Sequence, residues 1–250
     1  MTADEPPVPA LVGYPVIAPP LPPPALLDQR WSELSFIHWP ADPASVAHLF
    51  PPGTRPDVFA DGQTYVALVP FMMSGIRLGV SPPVPYFGTF LETNIRLYSV
   101  DDAGRHGVLF LSLETARLAV VPLTRIGLGF PYTWAKMSMT RSGDVVTYDS
   151  LRRWPQRGLR SHLSVAVGDI VEPSPLEVWL TARWGAHTRK AGRTWWVPNH
   201  HDPWVLRAAE VLDLNDDLLG ASGVRPSGER LRALFSPGVR TCFGRPARVV

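Results

Sequence analysis

Three side chains with complementary chemistry recur at every second position of one segment. In "FGTFLETNIRLYSV" (87–100), Glu92, Asn94 and Arg96 alternate with Leu91, Thr93, Ile95 and Leu97. As a strand, this segment presents a carboxylate, an amide and a guanidinium on one face, successive members roughly 6.6–7 Å apart. Turned inwards, the three converge on a cavity and could hold a polar ligand, with the carboxylate as proton donor or acceptor. Turned outwards, they are a solvated face whose Glu–Arg pair adds little stability. Alternation alone leaves both open. A second candidate is Lys136, one of only two lysines, in "GLGFPYTWAKM" (127–137) between Trp134, Ala135 and Met137. Desolvation there would lower the amine's pKa and make it a nucleophile for carbonyls. The alternative is a snorkelling lysine on a strand whose other face is core.

Other reactive patterns are scarce. In "NHHDPW", His200 and His201 are adjacent, so an extended chain points them in opposite directions, and no second pair with metal-ligand spacing exists. No metal site is expected. There is no GxSxG elbow, and no GxGxxG or Walker pattern, so no nucleotide cofactor is expected either. Cys242 is the only cysteine, which excludes an internal disulfide. Arg152, Arg153, Trp154, Arg157 and Arg160 form a basic, aromatic cluster that either binds an anion or is a solvated loop.

Strands must position these residues. β-rich runs cover 64–73, 87–100, 108–115 and 161–169, 193–204 is a strand and turn, "DDAGRHG" (101–107) is a hairpin turn, and two strands are predicted around Ser142-Gly143-Asp144. "ADPASVAHLFPPG" offers a short helix capped by Asp42, with Pro43 in its first turn. Residues 115–129 read as helical despite Pro122, and 175–189 are the clearest helix by apolar spacing. The tail reads as short pieces. The expectation is a mainly β chain with a few helices (α+β): a mixed barrel or sandwich in a single domain, 26–250. It follows a proline-rich arm, 1–25, with nine prolines, expected to be extended and mobile on the surface.

Composition narrows the function classes. The net charge is +2, so no global field points to nucleic acid. No apolar run approaches the length of a membrane span, and the N-terminus has neither a basic start nor an apolar stretch suited to a signal peptide. A cytoplasmic protein is the default expectation. A homo-oligomer is left open.

Taken in order, "QRWSELSFIHWPADPASVAHLFPPG", "YVALVPFMM", "FLETNIRLYSVDDAGRHGVLFLSLET", "GFPYTWAKMSM" and "HHDPW" resemble an uncharacterised bacterial YqjF-like family, a domain of unknown function, over residues 28–240. That family is similar in turn to acetoacetate decarboxylases. "LFPPG", "FLE" ending at Glu92, "GRHG", "TRI" at Arg125 and "GFPYT" resemble the decarboxylase series of motifs. The resemblance implies a closed β-barrel core with peripheral helices around an enclosed small-molecule cavity. It also carries a departure. The decarboxylases form a Schiff base through the lysine directly after the aromatic-Pro step, aided by the next lysine, and here those positions are Tyr132 and Thr133. Lys136 would share a face with Tyr132 and Trp134, but roughly 13 Å further along.

Acetoacetate decarboxylation is therefore not expected. The first expectation is a pocket that binds a small polar or anionic carboxylate or carbonyl molecule. Glu92, Asn94, Arg96, Arg125, Tyr132, Trp134 and Lys136 would contribute to it. A lyase, hydratase or isomerase with Glu92 and Tyr132 as acid and base is an alternative, with Lys136 a lesser candidate. A non-catalytic interaction protein is another.

Overall fold

Period-two apolar patterning over so much of the chain requires extended segments that find partners for their backbone groups. The structure, a computed structural model, describes residues 11 and 13–249. The described residues begin with β1 (Leu27–Ala41), α1 (Pro43–Val46), β2 (Thr54–Pro56), β3 (Thr64–Leu78), β4 (Phe90–Asp101) and β5 (His106–Thr115). Then follow α2 (Val120–Gly127), β6 (Tyr132–Ser142), β7 (Val145–Trp154), β8 (Arg160–Ile170), α3 (Pro175–Thr181), β9 (Gly185–Lys190) and β10 (Arg193–His201). The chain ends with β11 (Arg207–Asp216), α4 (Leu218–Ala221), β12 (Ala233–Phe243) and β13 (Ala247–Arg248). The protein is mainly β. No described helix is long and apolar enough to cross a membrane.

Local signals explain most boundaries. Asp42 caps α1 by accepting from the Ala44 amide, with Pro43 at its start. Pro122 falls in the first turn of α2, where a missing N–H costs nothing, so it does not break the helix. Two expectations are corrected. The helix read over 175–189 stops at Thr181, and Gly185–Lys190 is a strand. A Ser174–Glu177 capping box starts α3. The next residues pair with β10, and a Cβ at Gly185 would run into the Trp196 ring, so tertiary packing overrides helical spacing there. The tail is not short pieces: β11 and β12 have ten and eleven residues.

The thirteen strands among the described residues all hydrogen-bond into one sheet. Pairings run β5–β6–β7–β8–β11–β12–β1–β3–β4 and return to β5. A second circuit runs β4–β5–β9–β10–β12–β1–β3 and returns to β4. β12, β1, β3, β4 and β5 belong to both. β5 serves two partners along one edge, β9 at Val108–Leu109 and β6 at Leu113–Thr115.

Two apolar layers lie on opposite faces of the shared strands. Val66, Leu68, Ile95 and Leu97 join Val146, Leu163 and Val165 in one. Tyr65, Ala67, Val69, Tyr98, Tyr132, Trp179 and Val197 join in the other. Glu92, Asn94 and Arg96 have the parity of Phe90 and Tyr98, which places them on the second face. The described part of the proline-rich segment touches the same region. The Tyr14 hydroxyl donates to the Ala182 carbonyl at 2.7 Å, the Trp184 indole donates to the Pro15 carbonyl, and Ala18 is buried. Residues 1–10 and 12 of the expected arm lie outside the described residues.

Candidate functional site

β4 runs between β3 and β5, with Glu92 opposite Phe71 on one side and Thr115 on the other. A central strand between two apolar layers buries both its faces, and Glu92 and Asn94 are 3% and 4% exposed. This overturns the solvated-face reading. Tyr132 opens β6 opposite Leu113 and faces the same layer. Its hydroxyl donates to Glu92 Oε2 at 2.7 Å. Burial pushes the Glu92 carboxyl from 4.5 up to about 7, while hydrogen bonds from Tyr132 and Asn94 pull the other way. Burial, then the Glu92 charge, holds the Tyr132 phenol well above 10. Near neutral pH the phenol therefore remains a donor, and the carboxyl is poised to exchange its proton.

Further along the same face, polar atoms are buried without partners. Asn94 Oδ1, Arg96 Nε and Trp31 Nε1 are inaccessible and make no hydrogen bond. The Arg96 guanidinium lies 5.8 Å from both the Phe36 and Tyr98 ring centroids. Among the described residues it forms no ion pair; the paired arginines are others. His38 Nε2 and the Tyr98 hydroxyl are 2.7 Å apart. Burial, reinforced by Arg96 and Arg183, holds His38 well below 6.5 and hence neutral. His201 is likewise pushed down to about 4 by burial, with Arg96 among the charges acting on it. Trp31 stacks on Trp204 at 6.1 Å, and Phe36 meets Trp204 edge-on at 5.3 Å.

The candidate residues fall into two groups. Glu92, Asn94 and Tyr132 meet, and Arg96 shares their face. Arg125, Trp134 and Lys136 instead line an open groove of about 1110 Å³ on the outside. Arg125 is exposed on α2. Its Nη1 donates to the Tyr132 carbonyl at 2.8 Å, and its guanidinium lies 5.1 Å from the Trp154 ring centroid, so it braces the backbone of Tyr132 and is not a partner of Glu92. Lys136 is exposed, so the desolvated-amine reading does not hold. It has the parity of Tyr132, but by Lys136 that face of β6 has opened to solvent, while Ala135 on the other face stays buried.

Sequence reasoning missed His38 and Trp31. The only signal for His38 and Trp31 was their place in an aromatic-rich segment that carried no strand assignment. A Ser–His–Asp chain was also invisible: Ser99 Oγ lies 2.7 Å from His187 Nδ1, and His187 Nε2 lies 3.2 Å from Asp101 Oδ2. All three are at most 1% exposed, so the hydroxyl has no access to a substrate, and the chain ties β9 to β4.

Comparison with known proteins agrees with this architecture. The family model DUF2071, described as an uncharacterized conserved protein, matches residues 28–240. The uncharacterized protein YqjF of Bacillus subtilis is 29% identical over 201 residues, covering 80% of this chain and 82% of that protein. Among solved structures, acetoacetate decarboxylase from Legionella pneumophila superposes with a TM-score of 0.64 at 14% identity, over 93% of this chain and 92% of that one. The enduracididine biosynthesis enzyme MppR, complexed with pyruvate, gives 0.60 at 15%, over 92% of each chain. An acetoacetate decarboxylase-like enzyme from Sphingomonas wittichii gives 0.59 at 13%, over 91% and 94%. At these identities the likeness is one of fold.

Proposed function

Because the chain belongs to the DUF2071 family and has the fold of acetoacetate decarboxylase-like enzymes, we propose that it binds a small carboxylate or carbonyl molecule. The site is the face that carries Glu92, Asn94, Arg96 and Tyr132. In this reading the circuit β4–β5–β9–β10–β12–β1–β3 is a closed barrel, and its interior is the binding site. One observation carries it. Arg96 is a partly buried guanidinium with no carboxylate partner and an inaccessible, unpartnered Nε, and it shares its strand face with an unpartnered Asn94 oxygen. An uncompensated buried charge is costly, and an anionic ligand would relieve that cost. Asn94 lies between Arg96 and Glu92 on one strand. A carboxylate held at Arg96 would therefore direct the rest of a short ligand towards the Glu92–Tyr132 pair.

The chemistry differs from an imine-forming decarboxylase. Tyr132 and Thr133 stand where the resemblance places the reactive lysines, neither forms an imine, and Lys136 is in solvent. The proposal is tested by calorimetric titration with pyruvate and acetoacetate. Saturable binding that weakens at least tenfold in Arg96→Met is expected, and unchanged affinity in that variant refutes it.

A second reading rests on the Glu92 carboxyl at about 7, hydrogen-bonded to a phenol. That pair suits acid/base work on a bound carbonyl. Deuterium exchange at the methyl group of bound pyruvate, followed by NMR, should be faster than in buffer and slow in Glu92→Gln. Absence of exchange in a binding-competent protein removes this reading.

A further inference from the structure

The outer groove has the marks of a second site. Its walls are α2, β6 and the turn after β7. Ile126, Leu118 and Trp154 are 76%, 53% and 48% exposed there, and Trp134 is half-buried beside them. A surface helix normally turns its apolar residues inwards. α2 buries Val121 but leaves Ile126 outward over the groove, and contiguous exposed apolar surface of this kind marks interaction sites.

The rim supplies the chemistry. Among the described residues, Arg117, Arg125, Lys136, Arg153 and Arg157 line the groove, and no aspartate or glutamate does. Among the described residues none of the five is in an ion pair. The chain as a whole carries only +2, so this is a local concentration of positive charge and not a reflection of a basic protein. The walls are also held in place. Arg125 is fixed between the Tyr132 carbonyl and the Trp154 ring.

We propose that this groove binds an anionic amphiphile: a soluble molecule with an aromatic or acyl body and a carboxylate or phosphate head. The body lies against Trp134, Trp154 and Ile126, and the head is taken by the arginines of the rim. The groove is open on one side, and its volume of about 1110 Å³ has room for such a body along the apolar wall. The site is separate from the one proposed above, because the Glu92, Asn94, Arg96 and Tyr132 side chains do not line it.

The probe is decyl phosphate below its micelle-forming concentration, with decyltrimethylammonium as the matched cation, titrated calorimetrically into the full chain. Saturable binding of the phosphate, at least tenfold tighter than of the ammonium, is expected. Binding should weaken at least tenfold in the surface double variant R153E/R157E and in Trp154→Ala. R153E/R157E should keep its circular dichroism and its pyruvate affinity. Equal affinity for the two amphiphiles, or unchanged decyl phosphate binding in the folded double variant, overturns the proposal. So does binding to phosphatidylserine vesicles or polyglutamate without binding of soluble decyl phosphate, which would assign the surface to a membrane or an acidic chain.

Discussion

Replacing Glu92 by glutamine should remove a pH dependence of stability whose sign and size follow from its burial. The carboxyl ionises at 4.5 in an ordinary setting and at about 7 in the folded protein. Between those values the native state holds one proton more than the unfolded chain. Unfolding free energy therefore falls as pH rises through that window, by about 1.4 kcal/mol per pH unit. Across the gap this comes to about 3 kcal/mol. The contribution is fully present below 4.5 and gone once pH exceeds about 7. Glutamine is isosteric, keeps an oxygen to accept from Tyr132, and has no proton to lose. Urea unfolding of wild type and Glu92→Gln at pH 5, 6, 7 and 8 isolates the residue, because all other titrating groups cancel in the difference. The variant should gain on the wild type steadily from pH 5 and level off above pH 7, with a change of about 2.5 kcal/mol over this range. A difference that stays flat across this range would mean that Glu92 ionises normally, and the acid/base reading would fall with it.

Three more outcomes follow from the same contacts. Tyr132→Phe removes a hydrogen bond that favours the charged carboxylate, so the Glu92 titration midpoint should move above about 7, read as a shift of the pH–stability profile. Arg96→Met exchanges an unpaired, partly buried cation for an apolar side chain, and the ligand-free variant should be as stable as wild type or more so by about 1–4 kcal/mol in urea unfolding. Arg152→Met does the opposite: Arg152 Nε is 2.9 Å from Glu114 Oε1, both side chains are buried, and the stranded carboxylate should cost about 3–5 kcal/mol in the same assay at pH 7.

The strand carrying Glu92, Asn94 and Arg96 was legible because its alternation is strict over a length no helix would tolerate. That both of its faces are buried was not legible. That depends on β9, β10 and α3 covering the second face of β4, and none of them is near it in sequence. The grouping of Arg125 with Glu92 failed for a related reason. Motif order places residues along the chain, but α2 packs outside β6, so Arg125 reaches the Tyr132 carbonyl from the far side. Lys136 shows the limit of parity: it shares a face with Tyr132, yet that face reaches solvent within four residues while Ala135 and Met139 on the other face still meet the core. Apolar spacing misread 185–189 because Trp184, Ala186 and the strand that pairs with them satisfy either period.

The β1–β12 pairing has a consequence for the order of events during synthesis. Leu27 pairs with Phe243, and the ladder continues to Phe36 with Leu234. Neither strand circuit can complete until β12 has left the ribosome, although β1, β3, β4 and β5 emerge much earlier. In the interval β1 offers an unpaired edge, with Trp31, Leu34 and Phe36 uncovered, a template for pairing with another nascent chain. Premature termination anywhere before Ala233 would make that interval permanent. Completion of both circuits therefore waits for a strand near the end of the sequence, although most of the sheet is synthesised well before it.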